Sequence, residues 1–113
     1  MPAGYFITGT DTGVGKTLIA AALMQQQAAL GRRVAGMKPV ASGCHATAAG
    51  LRNYDALLLE RHATRRHPYG LVNPYAFEPA IAPHLAARAV GATIEVSRLL
   101  QAYQQLALDA DTV

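Results

Sequence analysis

The chain has 113 residues, of which 51% are hydrophobic and 15% charged, as expected for one small globular unit and not for a disordered segment. It has no run of about 18 to 20 apolar residues for a membrane span and no secretory leader pattern, and its single cysteine, Cys44, forbids an internal disulfide, so a cytoplasmic, membrane-free setting is expected. A net charge of +3 and a pI of about 9.4 invite a polyanion partner, but the eight arginines are scattered and no aromatics interleave with them, which argues against nucleic acid.

The chain opens on Tyr5-Phe6-Ile7-Thr8, a short β-prone apolar run between Gly4 and Gly9 that predicts a buried parallel strand. A glycine-rich turn follows, and from Thr17 the period becomes helical, with Ile19, Leu23 and Leu30 as the apolar stripe and Gly31 as the stop. Val34 to Lys38 has the character of a second strand, ended by Pro39. The small residues between Ala41 and Gly50 predict a loop. Asn53 is a candidate N-cap for a helix reaching Arg61, which puts Asp55 in its first turn, and the basic cluster Arg61 to His67 reads as the solvated end of that helix. The prolines in Val72 to Pro79 predict an extended connection or edge, with Tyr75 and Phe77 in the core. A short helix starts at Pro83 and stops at Gly91, and Glu95 to Leu108 carries a stripe of Val96, Leu99, Leu100, Tyr103 and Leu106. Asp109 to Val113 resembles a turn entering another strand.

The turn Gly9-Thr10-Asp11-Thr12-Gly13-Val14-Gly15-Lys16-Thr17 joins a predicted strand to a predicted helix, the context in which such a signature becomes specific for nucleotide phosphates. Glycines let backbone amides wrap a polyphosphate, the helix start adds unpaired amides and a favourable dipole, Lys16 reaches β/γ oxygens and the Thr17 hydroxyl can sit on Mg²⁺. Five residues separate Gly9 from Gly15 where the usual loop has four. ATP or GTP binding follows, but kinases, GTPases, partitioning ATPases and ligases all share the loop.

Lysine usage narrows the field. Arginine supplies eight of the ten basic side chains, and the two lysines are Lys16, in the phosphate loop, and Lys38, at the end of the second predicted strand. A compact ammonium at that edge suits a ligand site, although an exposed lysine after a strand has the same sequence. Asp55 by itself reads equally as an ordinary first-turn carboxylate, and Ser42 as a loop serine. Cys44 has no evident base beside it, and the four histidines share no metal-ligand spacing.

The phosphate loop, Lys38-Pro39-Val40-Ala41-Ser42-Gly43, Leu51-Arg52-Asn53-Tyr54-Asp55-Ala56, Asn73-Pro74-Tyr75-Ala76-Phe77 and Pro83-His84 together resemble dethiobiotin synthetase in order and spacing, across essentially the whole chain. The five-residue loop variant is the form of that family. The resemblance implies a P-loop NTPase-like, doubly wound parallel α/β sheet, represented here by about two to three strands and four helices. Residues 1–113 would form the N-terminal part of a single ligase domain. A further Mg²⁺-binding glutamate and the residues that grip the base would lie in a C-terminal part absent from this sequence.

The implied reaction closes a cyclic urea from 7,8-diaminononanoate, CO₂ and ATP with Mg²⁺, in biotin biosynthesis. One amine captures CO₂ as a carbamate, the carbamate oxygen attacks the γ-phosphate, and the second amine closes the ring. By the same resemblance Lys16 and Lys38 are catalytic, and Gly13, Val14, Gly15, Lys16 and Thr17 cradle the phosphates. Thr17 and Asp55 hold Mg²⁺, and Thr12 and Ser42 contact substrate. Family members are homodimers with sites at the subunit interface. Two alternatives stay open on the sequence alone: an inactive nucleotide-phosphate-binding piece, and a P-loop ATPase of partitioning or regulatory type.

Overall fold

A computed structural model describes residues 3–8 and 15–113. In chain order these form helix α1 (Gly15–Ala29), strands β1 (Val40–Ala41), β2 (His45–Thr47) and β3 (Gly50–Arg52), helices α2 (Tyr54–His62) and α3 (Tyr69–Val72), strand β4 (Tyr75–Ala76), and helices α4 (Pro83–Ala89) and α5 (Val96–Leu108). This is an α/β arrangement with five helices where the sequence predicts four. The additional one is α3, which at four residues is too short to show a helical period.

Parallel pairing organises the chain at two places. At the first, Thr112 bridges Ala3 on one side and Val34 on the other. Its own N–H donates to the Arg33 carbonyl at 3.1 Å and its carbonyl accepts from Ala35 at 3.0 Å. The neighbouring Asp111 carbonyl and Val113 N–H face Ala3, at 2.8 and 3.0 Å. The expectation of a strand entry at residues 109–113 therefore holds. The strand expected at Tyr5–Thr8 does not form. The ladder passes through Ala3, with Tyr5 N–H still reaching the Val113 carbonyl, while Phe6 is 86% exposed and not buried.

At the second place β1 pairs in parallel with β4, Val40 opposite Tyr75 and Ala41 opposite Ala76. The expected strand over Val34–Lys38 is thus displaced. Val34 makes a bridge and the regular strand begins only after Pro39. Proline lacks a donor but its carbonyl still accepts, here from Tyr75 N–H at 3.1 Å, so Pro39 leads into a strand instead of ending one. The loop expected between Ala41 and Gly50 contains the first arm of an antiparallel hairpin, β2 with β3. The edge assignment for the proline-containing segment holds, and Tyr75 and Phe77 are core residues packed with Ala86 and Ala87 of α4.

Helix ends follow the sequence closely. Asn53 caps α2, its Oδ1 accepting from Ala56 N–H at 3.0 Å. After α1, Gly31 N–H bonds the Ala28 carbonyl and Arg32 N–H the Gln27 carbonyl, and Gly31 takes φ 79°, the left-handed turn that glycine adopts without a Cβ penalty. Helix faces follow it less well. The buried residues of α1 are Ala21, Met24 and Gln27, whereas Ile19 and Leu30 are exposed. In α5 the buried pair is Ala102 and Leu106, while Val96 and Leu100 of the expected stripe face water. The basic end of α2 is solvated at Arg61, Arg65 and Arg66, but His67 is buried, its Nε2 3.6 Å from Asp109 Oδ2.

Two small features fix the layers. Gln27 and Thr64 close the region around the Thr112 ladder: Gln27 Oε1 accepts from the Thr112 hydroxyl at 3.2 Å, and Thr64 Oγ1 accepts from Val34 N–H at 2.8 Å and donates to its carbonyl at 3.2 Å. Gly36 lets α1 and α2 close over the chain. A Cβ there would stand 3.0 Å from Leu59 Cβ and 3.1 Å from the Met24 sulfur. Gly36→Ala should therefore destabilise the protein by about 1 to 3 kcal/mol through overpacking, measured by denaturant unfolding.

Arg33 clamps the Asp111 carboxylate with its side chain, Nη2 to Oδ1 at 3.0 Å and Nε to Oδ2 at 3.3 Å, and with its backbone N–H at 2.8 Å. The Arg33 side chain, then its backbone N–H, holds the Asp111 pKa down to about 2. A depressed folded-state pKa gives stability that is present above about pH 4 and is lost as pH falls through about 2. Asp111→Asn should be less stable than wild type at pH 6, and the gap should narrow between about pH 4 and 2, followed by circular dichroism.

Candidate active site

Gly15, Lys16 and Thr17 form the first residues of α1, so Lys16 and Thr17, both half-buried, sit at the amino end of a fifteen-residue helix, where the dipole favours an anion. Thr12, Gly13 and Val14 lie outside the described residues. Ser42 follows β1 directly and is half-buried.

Lys38 and Asp55, seventeen residues apart in sequence, meet in space. Lys38 Nζ donates to Asp55 Oδ2 at 3.0 Å, with the two side chains 32% and 34% exposed. Asp55 reaches this point because Asn53 starts α2 two residues earlier. Lys38 reaches it because both of its backbone groups are held: its N–H donates to the Val72 carbonyl at 2.7 Å, and its carbonyl accepts from Asn73 Nδ2 at 2.8 Å. The turn after α3 thus grips the backbone of Lys38.

Asn73 and Tyr69 were not singled out by the sequence as site residues. Asn73 is 2% exposed and its Nδ2 also donates to the Tyr75 carbonyl at 3.1 Å, while its Oδ1 accepts from the Tyr69 hydroxyl at 3.1 Å. The Tyr69 oxygen in turn accepts from Asn53 N–H at 2.7 Å. The Arg52 guanidinium stands over the Tyr69 ring, 4.1 Å from its centroid. Burial pushes the phenol upward, partly offset by the Asn53 N–H, so the hydroxyl keeps its proton at neutral pH. The available signal was a small one: an asparagine between Val72 and Pro74, in a segment whose apolar neighbours are buried, has to satisfy three hydrogen-bonding groups somewhere.

Cys44 is buried, its thiol donating to the Ala41 carbonyl at 3.6 Å, and burial pushes its pKa up, so it stays a thiol and makes a poor nucleophile. Among the described residues no group of three His, Cys, Asp or Glu side chains is placed to hold a metal. The Asp55 carboxylate and the Thr17 hydroxyl are hard oxygen donors. They suit Mg²⁺, which takes few protein ligands and completes its shell with water and phosphate oxygens.

Residues 3–113 match the family model described as an AAA domain, and the chain belongs to that family, a P-loop class. Among curated proteins it is similar to those named ATP-dependent dethiobiotin synthetase BioD. It is 55% identical over 112 residues to the one from Pseudomonas paraeruginosa, which covers 98% of this chain and 49% of the relative. The figures are 51% over 96 residues, 85% and 41%, for Marinobacter nauticus, and 50% over 106 residues, 94% and 47%, for Aeromonas hydrophila. The chain spans about half the length of these relatives. The sequence resemblance to dethiobiotin synthetase therefore stands. No helix among the described residues is long and apolar enough to cross a membrane.

A one-third-exposed ion pair contributes at most about 1 kcal/mol. Lys38→Met and Asp55→Asn should each leave the melting temperature within a few degrees of wild type, by differential scanning fluorimetry, so that losses of function at these positions can be read as chemistry.

Proposed function

We propose that this chain carries the phosphate-binding loop and the reactive lysine of an ATP-dependent cyclo-ligase that joins CO₂ to 7,8-diaminononanoate and closes the ring of dethiobiotin. The observation that carries this reading is the 3.0 Å approach of Lys38 to Asp55, the two residues raised above ordinary alternatives by the family resemblance. The names of the relatives support the same activity.

Carbamate formation and phosphoryl transfer both build negative charge on oxygen, and such reactions need fixed cations and alignment more than a protein nucleophile. The Lys38 ammonium, held by its backbone, can compensate charge on a carbamate. Lys16 and the first amides of α1 bind phosphate oxygens. Asp55 and Thr17 would hold Mg²⁺, with Ser42 and Thr12 contacting substrate and Gly13, Val14 and Gly15 adding backbone donors. When bound, Mg²⁺ supplies neutralisation of phosphate charge. The half-length match to the relatives fits residues 1–113 acting as the N-terminal part of one ligase domain. A cytoplasmic homodimer completes the reading.

The test is product formation by the whole ligase domain that contains residues 1–113, supplied with diaminononanoate, bicarbonate and MgATP. Dethiobiotin and phosphate should appear together and only with all components present. Phosphate release indifferent to diaminononanoate would overturn the ligase reading in favour of a simple ATPase. Lys38→Gln should lower kcat by about a hundredfold or more, the scale set by losing one charge-stabilising donor.

A further inference from the structure

We infer that Tyr69 and Asn73 are positioning residues that set where the Lys38 ammonium stands relative to Asp55, through a relay running from Asn53 N–H to Tyr69 Oη, to Asn73 Oδ1, and from Asn73 Nδ2 to the Lys38 carbonyl. This rests on the ligase reading above, and adds to it two residues that act through Lys38.

The relay joins the two elements that carry the pair. One end is the backbone of the N-cap residue of α2, two positions before Asp55, at 2.7 Å from the phenol oxygen. The other end is Lys38 itself, whose carbonyl lies 2.8 Å from Asn73 Nδ2. Between them the Tyr69 hydroxyl donates to Asn73 Oδ1 at 3.1 Å. Asn73 also bonds the Tyr75 carbonyl and its own N–H returns to Tyr69, at 3.1 and 2.8 Å, so the carboxamide cannot turn without losing a partner.

The chemistry fixes the direction of each bond. Two carbonyl oxygens face the amide nitrogen, so only a side chain with two donors on one atom serves both, and an aspartate at position 73 would put oxygen against oxygen. A backbone N–H faces Tyr69 Oη, so the phenol must accept there and donate onward. Phenylalanine keeps the ring under the Arg52 guanidinium but leaves the Asn53 donor and the Asn73 acceptor unpaired. The α2 cap and the Lys38 segment would then relax independently. A displacement near 1 Å at a reacting group costs up to about a hundredfold in rate.

The experiment is a double-mutant cycle on that whole domain with Tyr69→Phe, Lys38→Gln and both together, reading kcat, KM for ATP and the melting curve. Tyr69→Phe alone should lower kcat by about 10- to 100-fold with KM for ATP changed by less than about threefold. In the Lys38→Gln background the same change should cost less than about twofold, because the residue acts through Lys38. An unchanged kcat, or an equal loss in both backgrounds, would reduce the relay to a purely structural role and overturn the inference. Lack of product from the unmutated whole domain removes the ligase reading itself, and is a different result from an active wild type beside an unaffected Tyr69→Phe. If Tyr69→Phe shows no cooperative melt, 3-fluorotyrosine placed at position 69 keeps the hydroxyl while weakening it as an acceptor. It should give a graded loss of kcat in the Lys38 background only, and no loss overturns the proposal.

Discussion

The buried carboxamide of Asn73 is the constraint on which the site turns. Its two donors and its acceptor are all engaged, by the carbonyls of Lys38 and Tyr75 and by the Tyr69 hydroxyl. Networks of this kind are stable only when fully satisfied, since a group left unpaired in the interior costs about 1 to 3 kcal/mol. Through it, one turn of irregular chain after α3 governs the backbone of Lys38, the first residue pair of the β1–β4 ladder and the N-terminus of α2. The residues nearest the proposed chemistry are thus held by a support that lies behind them.

The phosphate-loop part of the candidate site was legible in the sequence because its signal is local. A glycine-rich turn ahead of a helix needs only a short window, and Gly15, Lys16 and Thr17 follow from it as candidates, whereas Lys38 and Asp55 each read equally as ordinary surface residues until the family resemblance singles them out. That Lys38 and Asp55 touch did not follow, since it depends on α3 and on the turn at Asn73. The fold class was legible and the strand limits were not. Pairing between Ala3, Val34 and Thr112 is set by residues far apart, and no property of Tyr5–Thr8 or Val34–Lys38 announces where a partner ends.

The helix faces failed for a different reason. Helix α1 is rich in alanine, so burial is decided by what can approach closely, and Met24, with Ala20 and Ala28 beside it, packs against Val34 and Leu59 while Ile19 stays in water. Gln27 is buried despite its polarity because Thr112 and Arg32 occupy its oxygen. Polar side chains with such a task are invisible to hydrophobic periodicity. His67 is buried for no such reason: it lies 3.6 Å from Asp109 in a stretch that reads as solvated, yet neither of its ring nitrogens makes a hydrogen bond among the described residues.

The position of Thr112 has a consequence for how the chain acquires its shape. Ala3 and Val34 are joined by backbone bonds only through a segment made some eighty residues after the second of them. During synthesis the early half presents two strand edges with open donors and acceptors, and the piece that fits between them leaves the ribosome late. Pairings of such high sequence separation form slowly, and unpaired edges are where neighbouring chains adhere. Thr64, which already covers the outer backbone groups of Val34, leaves one edge of that segment waiting instead of two.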